Sequence, residues 1–156
     1  MKLLRSHTHG GTCPGGWFLG GYSLGLERST VRINGEPYLG RWILYVGGFA
    51  LRLHRFFKGD DARAPHDHPW PFWTFPLCRG YGELVPDEDT GQLTRKWVRG
   101  WRPNYRPSSY QHIVLDPPKP FYTLVLNGRK NRSWGFWPWY GYGHCTRVFV
   151  PWREWK

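Results

Sequence analysis

The chain has 156 residues, 40% hydrophobic and 21% charged, which fits one globular domain and excludes intrinsic disorder as its main state. Its 22 Lys and Arg residues exceed the 11 Asp and Glu residues, so the formal charge is +11. Such a surface attracts anions, including nucleotides and nucleic acid. A G+C-rich genome would also raise the content of Arg, Gly, Pro and Trp, so the charge alone does not define a partner.

Two kinds of sequence feature are missing. No apolar run approaches the roughly 20 residues that span a bilayer, and residues 1–5 are not followed by the apolar stretch of a secretory signal. The three Cys residues include no C-x-x-C pair, which argues against disulfides and against a Cys-type zinc site. We therefore predict a cytoplasmic protein with reduced thiols and no membrane partner.

The chain order predicts an arm followed by one β domain. Residues 1–30 contain three Gly-Gly pairs and no sustained periodicity, so we expect a loosely packed N-terminal arm or edge segment there, and residues 31–156 form the domain. Short runs rich in β-branched and aromatic residues, separated by Gly, Pro and Asn, predict an all-β sandwich or barrel with few or short helices. These runs are 38–46, 49–57, 71–78, 81–85, 93–98, 109–115, 121–126, 133–137 and 146–150.

Turn signals separate several of these runs. Asn34-Gly35 and Asn127-Gly128 are dipeptides typical of hairpins, and Gly80-Tyr81-Gly82 predicts a tight turn. Residues 86–91 form a polar, acidic loop between two predicted strands.

Histidines carry the clearest chemical signal. His66 and His68 flank Asp67, and residues i and i+2 of an extended strand project to the same face, so both imidazoles can bind one cation. His112, which opens a later strand after a Pro-containing turn, is the best candidate for a third ligand. Without a metal, the pair would instead form hydrogen bonds within a Pro-rich turn. A second H-x-H, His7-Thr8-His9, lies in the predicted arm.

The chain resembles the cupin family over residues 38–137. The first cupin motif matches His66-Asp67-His68 with a turn at Gly80, and the second matches Gly100 followed by residues 107–109 and His112. Four strings, 53–56 (LHRF), 66–72 (HDHPWPF), 80–83 (GYGE) and 134–137 (WGFW), resemble small single-domain cupins of phage and bacterial genomes. The resemblance implies a double-stranded β-helix, or jelly-roll barrel, with a three-His metal site. It would place a phage-encoded protein in the host cytoplasm.

The resemblance is incomplete at the fourth ligand. The usual carboxylate of the first motif falls on Phe72, which cannot bind a metal. Glu83 follows the predicted turn and is a displaced ligand, a partner of a ligating imidazole, or a solvent-facing residue. Three imidazoles suit one divalent transition metal ion, such as Fe(II), Zn, Mn, Ni or Cu. His54 is either a fourth ligand or neighbour of the site, or a buried strand histidine with an ordinary hydrogen bond.

Asp67 should point away from the two histidines and take part in a turn or salt bridge. The pairs His144-Cys145 and Cys13 with His7 and His9 could form Cys-His nucleophiles only if held within hydrogen-bonding range, and adjacent strand residues point in opposite directions. We expect Cys78 to be a small core residue.

A basic and aromatic segment precedes the second motif. Arg95, Lys96, Arg99 and Arg102 alternate with Trp97 and Trp101, a pattern that can hold phosphates while a ring stacks on a base. Alternatively, the Arg side chains simply cover Trp rings at the surface of a sheet. Residues 128–132 are a second basic patch, expected to be a solvated turn. The aromatic segments 134–140 and 150–155 are expected to close the barrel and fill its core.

The sequence therefore predicts a metal-binding cupin. Our first functional hypothesis is an Fe(II)-dependent dioxygenase acting on a small organic substrate that Tyr110, Arg106 or Glu83 orients. The second is a basic cupin without catalytic activity that binds a nucleotide or nucleic acid, and the third is a virion or scaffold component. A homodimer is compatible with each of these hypotheses.

Overall fold

The computed structural model describes residues 17–19, 24–33, 35–60, 64–115, 121–140 and 146–155. These ranges contain strands and turns but no helix, and hence none that could cross a membrane. The strands are β1 (Trp17–Leu19), β2 (Leu24–Ile33), β3 (Glu36–Val46), β4 (Phe49–Phe56), β5 (Phe72–Pro76), β6 (Gly80–Pro86), β7 (Leu93–Arg99), β8 (Asn104–Arg106), β9 (Ile113–Val114), β10 (Phe121–Asn127), β11 (Gly135–Phe136), β12 (Trp139–Tyr140), β13 (Thr146–Arg147) and β14 (Val150–Pro151).

Seven of the fourteen strands in the described residues belong to one large antiparallel sheet. Its order is β1-β2-β3-β4-β10-β5-β8, so the chain leaves the sheet after β4 and returns to it with β5, β8 and β10. The neighbours β4 and β10 pair along their full length, from Phe121 opposite Phe56 to Asn127 opposite Ala50. This crossover pattern is typical of a jelly roll rather than of a simple meander.

A smaller second sheet faces the first. Strands β7, β6 and β9 pair in that order, and β11 pairs with β14. His66 connects the two groups, because its backbone forms one bridge with His112 beside β9 and another with Phe136 in β11. The first motif therefore lies between the second motif and the aromatic closing segment.

The apolar core fills one end of the space between the sheets. The Phe121 ring from the large sheet lies 4.9 Å from the Tyr81 ring of the small sheet and 5.1 Å from the Phe56 ring. Val98 and Val114 complete this buried cluster. Cys78 packs against it, as expected for a small core residue.

The predicted all-β architecture is confirmed, and most predicted strands fall within a few residues of observed ones. Within the predicted arm or edge segment, residues 24–30 form the first part of β2 and pair with β3, which supplies the hydrogen bonds that local periodicity does not reveal. One local prediction is wrong. Gly80-Tyr81-Gly82 lies in β6 rather than in a turn, and Gly80 starts that strand with φ at +133°. The division into an arm and a domain otherwise stays a prediction.

Gly35 connects β2 to β3 with φ at +81°, a conformation that suits the predicted hairpin. The acidic loop after β6 is held by its first carboxylate. Asp87 Oδ1 accepts hydrogen bonds from the Thr90 backbone, the Thr90 hydroxyl and the Asp89 backbone.

Candidate metal centre

Backbone pairing brings the three predicted ligands together. The His66 and His112 backbones exchange two hydrogen bonds of 3.0 Å each, and the His68 backbone N donates to Ser108 O at 3.1 Å. The two motifs are therefore neighbouring chain segments, although more than 40 residues separate them in sequence. His66 and His68, two residues apart, direct their rings to the side on which His112 lies, with ring centroids 4.7 and 5.2 Å from that of His112.

The distances suit one metal ion. One ring nitrogen from each of the three histidines lies within 4.8 Å of those of the others, and His68 Nε2 is 3.0 Å from His112 Nε2. Metal–nitrogen bonds of about 2.1 Å at right angles place two nitrogens about 3.0 Å apart. Two imidazole nitrogens at this separation share either a proton or a cation. The donor set is that of one divalent transition metal ion.

Burial keeps two of the rings neutral. It lowers the pKa of His66 to about 4, although Asp60 opposes this, and it lowers the pKa of His68 well below its ordinary value. Neutral imidazole is the form that binds a metal, so both rings are ready to coordinate at neutral pH.

Glu83 supports the His112 ring from behind. It is fully buried, and its Oε1 accepts a hydrogen bond of 2.8 Å from His112 Nδ1, so the opposite nitrogen, Nε2, faces His68. Burial would raise the pKa of Glu83, but His112 and Arg106 lower it to about 2. In turn, Glu83 raises the pKa of His112 despite the burial of that ring. Of the three alternatives, the geometry matches a partner of a ligating imidazole.

Arg106 and Tyr110 both point at the same carboxylate. Arg106 Nη2 donates to Glu83 Oε2 at 3.2 Å, and the Tyr110 hydroxyl donates to that oxygen at 2.9 Å. The Arg106 guanidinium also lies over the Tyr110 ring, 4.4 Å from its centroid. These two predicted substrate-orienting residues are thus tied to the metal cluster through Glu83.

Sequence reasoning missed a second carboxylate. Asp60 Oδ2 lies 3.5 Å from His66 Nδ1 and accepts a hydrogen bond of 2.6 Å from the Val114 backbone, while the Tyr38 hydroxyl donates to Oδ1. Asp60 therefore stands behind His66 much as Glu83 stands behind His112. Asp60 follows β4 and reaches His66 because it exchanges hydrogen bonds with the Val114 backbone of β9, so no local motif identifies it.

Asp67 holds the closing segment in place. It is fully buried, and its carboxylate accepts hydrogen bonds from the Gly135 backbone at 2.9 Å and from the Trp137 indole at 3.1 Å. Arg132 Nη2 forms an ion pair with it at 2.9 Å. The salt bridge expected for Asp67 is present, and Arg132 of the second basic patch supplies it.

Aromatic rings surround the cluster. Phe72 packs against the His68 ring at 4.6 Å, and Phe136 and Trp134 lie 6.1 and 6.5 Å from the His66 ring. Trp134 stacks on Trp152 at 5.7 Å, so the closing segments pack against each other beside the site. Water is thereby limited on this side of the histidines.

His54 is not part of the three-histidine group. Its Nε2 is buried and has no hydrogen-bond partner among the described residues, and its ring packs against Phe56 at 6.1 Å. Burial lowers the pKa of His54 to about 3. The expected ordinary hydrogen bond is therefore absent at Nε2. His7, His9, His144, Cys13 and Cys145 lie outside the described residues.

The predicted anion-binding segment forms part of an open cleft. A cavity of about 530 Å³ is lined by Trp97, Arg99, Arg102, Pro103 and Asn104. Two of the four predicted residues, Arg99 and Arg102, are in this lining. Arg95 instead packs over Gly82, and Lys96 is exposed on β7.

The fold and the histidine cluster together define a cupin-type β-barrel with a site suited to one divalent metal ion. No protein-family model and no curated protein matches the sequence. Among solved structures, the chain is similar to HppE in its Fe(II) form, with a TM-score of 0.50 and 8% identity over 65% of this chain and 55% of that one. The chain thus spans about half the length of HppE.

Two further structures are similar. A protein from Ralstonia eutropha described as a mannose-6-phosphate isomerase has a TM-score of 0.50 and 16% identity, over 61% of this chain and 88% of that one. Oxalate oxidase in complex with the substrate analogue glycolate has a TM-score of 0.42 and 17% identity, over 57% of this chain and 46% of that one. At such low identity the likeness to HppE and to the Ralstonia protein concerns the fold alone and leaves the reaction open.

Proposed function

We propose that His66, His68 and His112 hold one divalent transition metal ion and that the protein is an Fe(II)-dependent dioxygenase for a small organic substrate. The observation that carries the metal site is the 3.0 Å separation of His68 Nε2 and His112 Nε2, with a carboxylate behind His112. HppE, similar in fold, is described in its Fe(II) form, which is why iron is the metal we propose to test first.

The residues around the cluster have separate tasks in this proposal. A metal with three protein ligands keeps open positions at which dioxygen and substrate can bind together. Glu83 keeps the proton of His112 on Nδ1, so that Nε2 stays free for the ion. Phe72 and the closing aromatic segment exclude water from the ligands. Tyr110 and Arg106, which both donate hydrogen bonds to Glu83, orient the substrate in this proposal.

Metal content tests the first part of the proposal. After anaerobic loading with Fe(II) and gel filtration, elemental analysis should find about one iron per wild-type chain. His66→Ala, His68→Ala and His112→Ala should each lose most of it, whereas His54→Gln should retain it because His54 lies outside the group. Iron retained in all three Ala variants, or absent from the wild-type protein, would refute the site.

Oxygen consumption tests the second part. The Fe(II)-loaded protein should consume oxygen only in the presence of a substrate from a panel of small organic acids, alcohols and phosphonates. The His68→Ala variant is the matched blank. A loaded site with no substrate-dependent uptake across the panel would argue against a dioxygenase and leave the metal site standing.

The cleft at Trp97 favours a second candidate function, the binding of a nucleotide or single-stranded nucleic acid. Trp97 and Trp101 are 58% and 64% exposed, and two guanidinium groups line the cleft. Binding of ATP or of an oligothymidine should weaken steeply with salt, drop in Trp97→Ala and Arg99→Gln, and survive metal removal. Binding that is unchanged by these substitutions would exclude this surface. A virion role, a phage source, a cytoplasmic address and a homodimer stay predictions.

A further inference from the structure

The interior face of the large sheet carries buried polar side chains beside its apolar ones. Along β4, Arg52 and His54 point between the sheets and Leu51 and Leu53 point outward. Leu51 is 44% exposed, whereas Arg52 is only 7% exposed. Burying an arginine is costly unless polar groups contact it, so its burial here, with leucine on the exposed side, indicates that the space between the sheets accommodates polar groups.

Arg52 has few partners for a buried cation. Its Nε donates to Asn127 Oδ1 at 2.6 Å, and its guanidinium carbon lies 4.6 Å from the centre of the Trp70 ring. No carboxylate of the described residues lies within ion-pair distance of it. Both terminal nitrogens of the guanidinium therefore have donor capacity that no described acceptor uses.

Arg52 faces the same space as the metal cluster. Its partner Asn127 pairs across the sheet with Phe72, whose ring packs on His68 at 4.6 Å. The Arg52 guanidinium also lies over the ring of Trp70, which follows His68 by two residues. His54 Nε2, buried and without a partner, adds an unused polar atom on the same face. The interior thus has a basic side opposite the histidine cluster.

We propose that Arg52 binds the oxyanion group of a molecule whose other end reaches the metal at His66, His68 and His112. The proposal rests on the proposed metal site and names its substrate class: a carboxylate, phosphonate or phosphate. The planar guanidinium can donate two parallel hydrogen bonds to such a group, and the anion supplies the contact ion-pair partner that Arg52 lacks among the described residues. His54 Nε2 lies beside this position and can hydrogen-bond to the ligand.

Calorimetric titration of the Zn-loaded protein tests the proposal with acetate and methylphosphonate as probes and acetamide as the uncharged control. At least one anion should bind, and acetamide should not. Arg52→Gln should weaken anion binding about ten-fold or more with zinc content unchanged. Arg55→Gln is the matched control, because Arg55 lies on the same strand but points outward, over Phe57 and Tyr122, and should bind within two-fold of wild type.

Two further variants separate binding from folding. Arg52→Lys keeps the positive charge but removes the two parallel donors of the guanidinium. Asn127→Ala keeps the guanidinium but removes the hydrogen bond that positions it. Both variants should bind the anion more weakly than wild type. Wild-type affinity in Arg52→Gln, or in both of these variants if Arg52→Gln does not fold, would overturn the proposal. So would a wild-type protein that binds neither anion. If the wild-type protein does not retain zinc but still binds the anion in a way that depends on Arg52, the metal site is refuted and the anion site stands.

Discussion

The carboxylate behind His112 gives the sharpest single test of the site. Glu83→Gln removes the negative charge while keeping the shape of the side chain. It weakens the hydrogen bond that holds His112 Nδ1 at 2.8 Å and leaves the Arg106 guanidinium without its ion-pair partner at 3.2 Å. Partners of metal-bound histidines are worth about 10- to 100-fold in metal affinity, or about 1.4–2.7 kcal/mol. We expect a loss of metal affinity in that range.

The same substitution should lower stability. Breaking a buried ion pair from one side costs about 3–5 kcal/mol, because a buried charge is left unpaired. The Arg106 side chain keeps 16% exposure, so we expect the lower end, about 3 kcal/mol. Urea unfolding of the metal-free protein measures this cost, and competition with a chromophoric chelator at pH 7.5 measures the metal Kd.

Glu27→Gln is the matched control for this experiment. It also removes one carboxylate that accepts a tyrosine hydrogen bond, from Tyr45 at 2.9 Å, but it lies on β2, away from the histidines. Its metal Kd should stay within two-fold of wild type. If Glu83→Gln also binds metal with wild-type affinity while His112→Ala does not, Glu83 does not position the ligand.

Three further substitutions test the surroundings of the site. Burial lowers the pKa of His54 from its ordinary value of 6.5 to about 3, so the free energy of unfolding falls as the pH drops below the ordinary value. The His54→Gln variant should therefore lose about 2 kcal/mol less stability than wild type between pH 8 and pH 5, as measured by urea unfolding. Asp67→Asn should cost about 1–3 kcal/mol and weaken metal binding, and an unchanged melting temperature would contradict this. A Cβ at Gly100 would lie 1.5 Å from Cys78 O, so Gly100→Ala should lower the free energy of unfolding by about 3 kcal/mol or more. Gly128→Ala is its control and should lower it less in the same urea unfolding experiment, because a Cβ there would lie 3.4 Å from Pro71 Cγ.

The sequence predicted the strands and the three histidines well because both signals are local or nearly so. Runs such as 121–126 and 93–98 are bounded by Gly, Pro and Asn, and the observed strands β10 and β7 extend each by a single residue. His66 and His68 need only the period of two to share a face. Residue 112 had to come from another segment, and the order of the two motifs suggested it.

What the sequence did not reveal depends on pairing between distant segments. Alternation along β4 separates Leu51 and Leu53 from Arg52 and His54, but hydrophobicity alone would put the leucines inside. The structure buries Arg52 instead. Asp60 reaches His66 only through its contact with the Val114 backbone, and β2 forms because β3 provides a partner. Such positions become visible only when the sheet order is known.

The charges of the interior connect the metal site to the anion proposal. The charged groups of this interior are three carboxylates and three guanidinium groups, namely Glu83, Asp60, Glu27, Arg106, Arg52 and Arg41. These six groups balance while the imidazoles are neutral. A divalent ion would therefore add two positive charges that no further carboxylate of this group offsets. A ligand carrying one or two negative charges would restore the balance. Metal loading should therefore strengthen anion binding to the space between the sheets.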